Sequence, residues 1–454
     1  MHIKRGRFWL SSIISAALLF SIFTSLPSAQ AAGVLPDWAK SATIYEVNMR
    51  QYTKAGTFNA FSASLPRLKT LGVKILWLMP VQPISKLNRK GTLGSPYSIA
   101  DYKGINPEYG SDADFAALVN KAHDLGFKII LDWVANHSGW DNSWTANKDW
   151  YHNDSSGKII APNNDWTDVA WLNYENADMR AAMIDAMSYW VKKFDIDGFR
   201  ADVASGPPVS FWEEANKKLQ GIKPLFMLAE DQNNSDLLNN AFVTNYNWNL
   251  LGTMNAIAKG SRNKVDFEIE ASHLILNYPA GSFPMNFITN HDENSWNGTE
   301  FQRLGKGVEA FSALYFTYPG IPLIYSGQET GNTKQIAFFE KDLIPGLTKA
   351  NSISGFYSKL ISLKNRNTAL WNDSAAPLEP LDGNNKEVIA YQRTLGKDKV
   401  ITILNISGVS QKVTLKIGSL AGTYKLLTSG KSGALAKSTS LTLKPWQYEV
   451  YSTN

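Results

Sequence analysis

Residues 197–202 read Asp197-Gly198-Phe199-Arg200-Ala201-Asp202, a short and largely apolar run that ends on a carboxylate. Two later stretches have the same form: residues 225–230 (LFMLAE) end on Glu230, and residues 287–292 (FITNHD) end on Asp292. Short apolar runs of this kind are typical of strands in a parallel sheet that is covered on both faces. In a (β/α)8 barrel the carboxyl ends of all strands open onto one face. The three acids are therefore expected to converge there.

The rest of the chain supports a barrel, because apolar runs alternate with amphipathic stretches from about residue 40. Helices are predicted between the strands, for example at residues 112–125, 177–194 and 208–219. The predicted strands cover residues 43–49, 74–79, 127–134, 198–201, 225–229, 244–248, 283–289 and 321–325. Eight strands in alternation with helices predict an α/β fold of the (β/α)8 TIM-barrel type. An open Rossmann-like sheet is disfavoured, because no glycine-rich phosphate loop follows the first strand.

Two connections are too long to be ordinary loops. Residues 137–176 are rich in Trp, Asn and Asp and predict a small subdomain inserted after the third strand. Residues 80–111 are also long, and both segments are expected to wall a cleft on the catalytic face. Short β-type runs with Gly, Ser and Asn turns predict a C-terminal all-β sandwich over residues 367–454, after a catalytic barrel at 32–366.

The N-terminus has the pattern of a secretory signal peptide over residues 1–31. Three basic residues precede an apolar stretch at 8–23, and Ala29-Gln30-Ala31 has the small residues of a cleavage site. A membrane anchor is disfavoured, because the apolar stretch contains several Ser residues and no second span follows. We therefore expect a secreted protein, extracellular or periplasmic, without a membrane partner.

Net charge and cysteine content limit the classes of binding partner and the sources of stability that the protein can have. The whole chain has a formal charge of +5, and loss of the three basic residues of the signal leaves 5 − 3 = +2. A nearly neutral protein of this kind is not expected to bind nucleic acid. The sequence has no cysteine, so stability must come from the core or from bound ions.

The three strand-end acids predict glycosidase chemistry. A retaining glycosidase needs an ionised nucleophile and a protonated acid catalyst on opposite sides of the bond that is cleaved. Arg200 and Asp202 are two residues apart and share one face of a strand, so the guanidinium is expected to hold Asp202 ionised. Glu230 follows an apolar run, and if its surroundings are dry or acidic its pKa rises, as an acid catalyst requires. A single acid at a strand end is often structural, but three spaced by whole βα units are not readily explained that way.

Several motifs carry a resemblance to the α-amylase family, glycoside hydrolase family 13. They are residues 132–137 (DWVANH), 198–202 (GFRAD), Glu230, 290–292 (NHD), 96–97 (PY) with 101–102 (DY), and 320–329 (GIPLIYSGQE). The resemblance runs from about residue 40 to the end. It implies Asp202 as the nucleophile, Glu230 as the acid/base and Asp292 as the transition-state stabiliser. It also implies substrate contacts by Tyr97, His137, Arg200 and His291, with Tyr97 stacked on the sugar ring.

The chain departs from the family pattern where a structural calcium ion is usually held. Asn136 keeps its motif position, but Trp171 stands where a carboxylate ligand is expected, and Ser205 and Gly206 replace a usual Lys-His pair. Calcium prefers several oxygen ligands that include carboxylates. Asp165 or Asp168 could supply the missing carboxylate, so a structural calcium site is the alternative. We nevertheless predict no metal site, and no cofactor for the chemistry.

The resemblance implies endo-hydrolysis of α-1,4-glucosidic bonds in starch-like α-glucans, by a monomer. A cyclomaltodextrinase, an oligo-1,6-glucosidase or a glucan transglycosylase is the alternative, and Val203 after the nucleophile occurs in some α-1,6-cleaving relatives. A non-catalytic glucan-binding protein is disfavoured, because such proteins usually lack catalytic acids and this chain has all three.

Overall fold

The structure is a computed structural model and describes residues 35–347 and 351–454. The predicted signal peptide lies outside these residues. Within the described part of the chain, no helix combines the length and the apolar character needed to cross a membrane.

The strands, in chain order, are β1 (Ile44–Val47), β2 (Ile75–Leu78), β3 (Lys128–Val134), β4 (His137–Gly139), β5 (Val169–Trp171), β6 (Gly198–Asp202), β7 (Phe226–Ala229), β8 (Thr244–Tyr246), β9 (Phe283–Asn286), β10 (Ile321–Tyr325), β11 (Glu379–Pro380), β12 (Val388–Leu395), β13 (Asp398–Asn405), β14 (Gln411–Lys416), β15 (Gly422–Leu426), β16 (Ser432–Leu435), β17 (Ser438–Leu443) and β18 (Tyr448–Ser452). The α-helices are α1 (Met49–Tyr52), α2 (Phe58–Ser62), α3 (Leu65–Leu71), α4 (Asp112–Asp124), α5 (Ala177–Phe194), α6 (Val209–Gln220), α7 (Leu237–Asn240), α8 (Trp248–Ala258), α9 (Lys264–Asn277), α10 (His291–Trp296), α11 (Glu300–Leu304), α12 (Val308–Thr317) and α13 (Ser352–Arg366).

Eight parallel strands close into a barrel in the order β1-β10-β9-β8-β7-β6-β3-β2. They correspond to the eight predicted strands, so the predicted (β/α)8 barrel is confirmed and the open sheet is excluded. The largest differences in length are in β1 and β9, and β9 ends at Asn286 although residues 283–289 were predicted. The residues that follow leave the ladder, and the side chain of Asn290 accepts a hydrogen bond from the backbone N–H of Glu293 to begin α10.

Each barrel strand is buried on both faces, as its apolar sequence predicts. In β1, Ile44 belongs to the cluster inside the barrel, whereas Tyr45 and Val47 pack in the layer between strands and helices. Close approach of β6 and β7 requires glycine at their start, since a Cβ on Gly198 would lie 2.0 Å from the carbonyl oxygen of Phe226. On the other side of β6, the register with β3 places Arg200 opposite Asp132.

Residues 137–176, predicted as an inserted subdomain, form a layer beside the barrel mouth. Strands β4 and β5 pair antiparallel, with His137 opposite Trp171. Trp144 lies between Tyr102 and Trp150, with ring centroids 4.6 Å and 5.3 Å apart respectively. Two of the tryptophans in this polar stretch are therefore packing residues that hold the subdomain against the long loop before α4.

The C-terminal part is all-β, as predicted. One sheet has the order β11-β12-β13-β18-β15-β16, and β14 pairs with β17 in a second sheet. Apolar side chains of both sheets share one core, for example Ile401 and Val413. Strands β11, β16 and β17 were not predicted, because they are short or rich in Ser and largely solvent-exposed. The division between residues 366 and 367 falls at the end of α13, and as a domain boundary it stays a prediction.

Candidate active site

A cleft of about 520 Å³ lies at the carboxyl ends of the barrel strands. Six of the seven predicted site residues line it: Tyr97, His137, Asp202, Glu230, His291 and Asp292. The seventh, Arg200, is fully buried beneath the carboxylates. Residues distributed over almost 200 positions of sequence therefore meet in one place, as the barrel geometry predicts.

Arg200 is the centre of this cluster. Its Nη1 lies 2.8 Å from Oδ1 of Asp132 and 3.0 Å from Oδ1 of Asp202, and its Nη2 lies 2.7 Å from Oε1 of Glu230. Its Nε donates to the hydroxyl of Tyr246 at 3.1 Å. One buried guanidinium thus holds three carboxylates and fixes the two proposed reacting acids close to each other.

The two acids share an environment that favours a proton. Burial raises the pKa of Asp202 well above its usual range. The negative charge of Glu230 raises this pKa further, and the positive charge of Arg200 opposes both effects. Burial also raises the pKa of Glu230, although Arg200 opposes the shift. The sequence argument considered only Arg200 and therefore gave the pKa shift of Asp202 the wrong direction. Like charges in a dry site favour one shared proton, and retaining hydrolysis requires that proton on Glu230.

Val203, directly after β6, was not identified as a site-shaping residue from the sequence. Its backbone N–H donates to Oε2 of Glu230 at 2.8 Å. Its φ is 43°, in the left-handed region that a β-branched residue rarely adopts. The strained backbone turns this N–H towards the acid and fixes the orientation of its carboxyl group.

Glu46 of β1 is a second residue that the sequence argument missed. It is fully buried, and its Oε1 lies 2.5 Å from Nδ1 of His291. Nε2 of His291 lies 2.8 Å from the hydroxyl of Tyr97, which donates to Oδ2 of Asp132 at 2.9 Å. Both ring nitrogens of His291 therefore face acceptors, as in a protonated imidazole.

The charges around His291 determine its protonation. Burial lowers its pKa, but the negative charges of Asp292 and Glu46 outweigh burial and raise the pKa from 6.5 to about 9. The stabilisation that comes with this proton is fully present below pH 6.5, the ordinary pKa, and is lost as the pH rises through about 9. His291 is thus a cation at neutral pH.

His137 behaves in the opposite way. Burial lowers its pKa from 6.5 to about 4, so its imidazole is neutral at pH 7. Nδ1 lies 3.2 Å from Nδ2 of Asn136, an amide nitrogen that only donates. The cleft therefore has one neutral and one cationic imidazole among its lining groups.

Aromatic side chains form much of the two walls. Trp166 of the inserted subdomain stands near His137, with ring centroids 5.6 Å apart. On the other wall, Trp296 packs on Phe338 and Phe339 at centroid distances of 5.3 Å and 5.9 Å. Nε1 of Trp296 donates to Oδ1 of Asp292 at 3.1 Å, which holds that carboxylate towards the cleft.

The residues at the usual calcium position do not fit a calcium site. The ring of Trp171 packs on His152 with centroids 3.8 Å apart, so it offers no oxygen ligand. Oδ1 of Asn136 faces the backbone of Gly206, where a Cβ would lie 2.1 Å away. Within the described residues, no group of three or more His, Cys, Asp or Glu side chains is arranged to hold a metal ion. A hard cation would lack the carboxylates that it prefers.

Chelator treatment tests this conclusion. Excess EDTA, or added calcium, is expected to leave the Tm of the protein nearly unchanged, because a ligand stabilises a protein only when it binds the folded state. The measurement is thermal unfolding followed by circular dichroism. A fall of more than about 4 °C with EDTA, equivalent to roughly 1 kcal/mol or more, would show that a metal site exists.

Replacement of Glu46 tests the charge on His291. The variant Glu46→Gln removes one of the negative charges that raise the pKa of His291, so this pKa is expected to fall. The alkaline limb of the pH profile of kcat/KM on maltoheptaose should then move to lower pH. Glu309→Gln is the matched control, because Glu309 is exposed on α12 and does not line the cleft. An unchanged alkaline limb in Glu46→Gln would contradict the assignment.

Comparison with known proteins places the chain in a family. Residues 43–377 match the family described as alpha amylase, catalytic domain, and residues 388–447 match the alpha-amylase SusG C-terminal domain. An α-amylase from Haloarcula japonica is 27% identical over 85% of this chain, which spans 58% of that relative's length. A cyclomaltodextrinase from Geobacillus thermopakistaniensis is 23% identical, and the match covers 92% of this chain and 77% of that relative's length.

Among solved structures, a noncanonic maltogenic α-amylase from Thermotoga neapolitana is similar to this chain. The TM-score is 0.83 at 27% identity, over 91% of this chain and 98% of that one. The family match covers well over half of the sequence and includes the three acids and Arg200. The chain therefore belongs to the α-amylase family of glycoside hydrolases.

Proposed function

We propose that the chain hydrolyses α-1,4-glucosidic bonds of α-glucans by double displacement, with retention of the anomeric configuration. One observation carries the proposal: a single buried guanidinium contacts both Asp202 and Glu230 at the base of one cleft. Two carboxylates held close together are the arrangement of retaining glycosidases, in which one acts as nucleophile and the other as acid.

In the first step, a carboxylate oxygen of Asp202 attacks the anomeric carbon while Glu230 gives its proton to the glycosidic oxygen. The bond to the leaving sugar breaks, and a glycosyl ester forms on Asp202. In the second step, Glu230 removes a proton from water, which attacks the same carbon and releases Asp202. Each step inverts the configuration, so the two together retain it.

The side chains around the reacting acids supply the sugar contacts. We assign Tyr97, His137 and His291 to the sugar whose bond is cleaved, with Asp292 as the stabiliser of the developing positive charge. His291 is cationic and directs its two N–H groups to Glu46 and to the hydroxyl of Tyr97, so it places positive charge beside the sugar and fixes the ring of Tyr97, whereas His137 faces the cleft as a neutral imidazole. The carboxylate of Asp292 is about two-fifths exposed and faces the cleft, where a substrate ring displaces its water.

A second candidate is a cyclomaltodextrinase, because one curated relative carries that name. Both candidates use the same acids, so only the substrate distinguishes them. Initial rates on β-cyclodextrin and on maltoheptaose separate them. We expect the linear substrate to be preferred, and a preference for the cyclic one would favour the second candidate. Endo action and α-1,4 over α-1,6 selectivity, both favoured by the sequence, stay predictions that product analysis tests.

Export and a monomeric state complete the proposal. The pattern of basic, apolar and small residues in 1–31 supports cleavage of a signal peptide. Mass spectrometry of the mature N-terminus tests the cleavage site, and light scattering tests the oligomeric state.

The roles of the two acids are tested with α-maltosyl fluoride, whose leaving group needs little acid assistance. Glu230→Gln is expected to lose about 10²- to 10⁴-fold in rate on starch, since general acid catalysis contributes about this much. With the fluoride it should still release a burst and accumulate a maltosyl adduct on Asp202, detected by mass spectrometry.

Asp202→Asn is expected to give neither burst nor adduct, because no nucleophile remains. Asp178→Asn, which changes an exposed carboxylate in the first turn of α5, is the control and should retain full activity. An adduct in Asp202→Asn, or normal starch hydrolysis by either catalytic variant, would refute the mechanism.

A further inference from the structure

Residues 90–95 connect the two walls of the cleft, and we call this segment the end wall. Its first residue reaches the inserted subdomain: Nζ of Lys90 lies 2.5 Å from the carbonyl oxygen of Asp165 and 3.6 Å from Oδ1 of Asp168. Lys90, Asp165 and Asp168 all line the cleft. The wall therefore begins at the subdomain side of the substrate site.

The following residues reach the opposite wall, in the loop after β10. The backbone N–H of Leu93 donates to the carbonyl oxygen of Phe339 at 3.1 Å, and that of Thr92 donates to Oε1 of Glu340 at 2.9 Å. Gly91 is pressed against the same loop, because a Cβ there would lie 2.5 Å from Cβ of Phe339. No gap separates the segment from this wall at Gly91.

A buried arginine fixes the end wall from behind. Arg50 is 5% exposed, and its Nη1 donates to the carbonyl oxygen of Gly94 at 2.9 Å. Its Nη2 donates to the carbonyl oxygen of Leu93 at 3.3 Å. The ion pair between Lys90 and Asp168 alone would hold the segment weakly. Hydrogen bonds to the buried Arg50 and to both neighbouring walls make the segment a fixed barrier.

The position of the end wall decides which end of the substrate it meets. The segment leads directly into Tyr97, which stacks on His291 with centroids 5.4 Å apart. In the proposed mechanism these residues hold the sugar that becomes bonded to Asp202, whereas Glu230 serves the leaving sugar. The barrier therefore lies on the glycone side, towards the non-reducing end of a bound glucan.

We infer that the end wall makes the enzyme bind glucans by their non-reducing ends and release short products of fixed length. This inference rests on the proposed hydrolysis and restricts it, since a chain cannot pass through the barrier as endo action on long glucans requires. Specificity of this kind comes from steric exclusion of the wrong ligand. The end wall therefore argues against the endo action that the resemblance implies.

A pair of substrates tests the inference on the unmodified enzyme: p-nitrophenyl α-maltoheptaoside and the same compound with a 4,6-O-ethylidene group on its non-reducing glucose. Consumption of each is followed by chromatography. The blocked compound is expected to react about 10- to 200-fold more slowly, the range that one misfitting methylene-sized group produces in a closed pocket. Equal rates would overturn the inference and leave the proposed hydrolysis intact. Failure to cleave either compound would instead refute the proposed hydrolysis itself.

A variant assigns the effect to the end wall. The double substitution Lys90→Ala and Thr92→Ala removes the contacts of the Lys90 side chain with the inserted subdomain and the hydrogen bond from the hydroxyl of Thr92 to the carboxylate of Glu340. The end wall is then held less firmly, so the ratio of blocked to unblocked rates should rise. Lys103→Ala is the matched control, because it removes an exposed Lys–Asp ion pair with Asp185 outside the cleft and should leave the ratio unchanged. An unchanged ratio in the double variant would contradict the assignment of the effect to the side-chain attachments of the end wall.

Discussion

The active site depends on one buried positive charge. Arg200 is removed from water at the centre of the barrel mouth, and an unpaired guanidinium in that position would be strongly destabilising. Its contacts with Asp132, Asp202 and Glu230 compensate the charge. The same contacts gather acids that would otherwise repel one another. The need to compensate this buried charge thus also brings the two proposed catalytic acids, Asp202 and Glu230, together.

A second buried pair extends this polar layer across the barrel. Glu46 lies on β1 and His291 begins α10, on the far side of the barrel mouth from β6. Tyr97 links His291 to Asp132. Charged and hydrogen-bonded groups therefore form a connected layer above an apolar barrel interior. Because the network is nearly dry, each electrostatic interaction in it is stronger than at the surface, and loss of one member leaves others unpaired. The pKa values of the two cleft histidines differ for this reason.

The barrel supplies the chemistry, and the loops select the substrate. Asp202 and Glu230 stand at the ends of β6 and β7, whose positions are fixed by neighbouring strands on both sides, and Asp292 lies in the first turn of α10. The walls come from the inserted subdomain, the loop before α4 and the loop after β10. Family members with the same acids can therefore differ in the glucans that they cleave. In this chain the contacts of residues 90–95 with both walls are the feature that bears most directly on substrate choice.

The sequence by itself determined the barrel, the all-β C-terminal part and the residues that meet in the cleft, because each strand is a local apolar run and each acid lies at the end of one or a few residues beyond it. Glu46, the contact of the Val203 backbone with Glu230 and the end wall came only from the tertiary structure. Glu46 looks like an ordinary strand residue until barrel closure brings it to His291, 245 positions away. The backbone angle of Val203 and the pKa of Asp202 depend on neighbours across the sheet. Local pattern decides secondary structure and order, whereas charge pairing, strain and the closing of a cleft are properties of groups that only folding brings together.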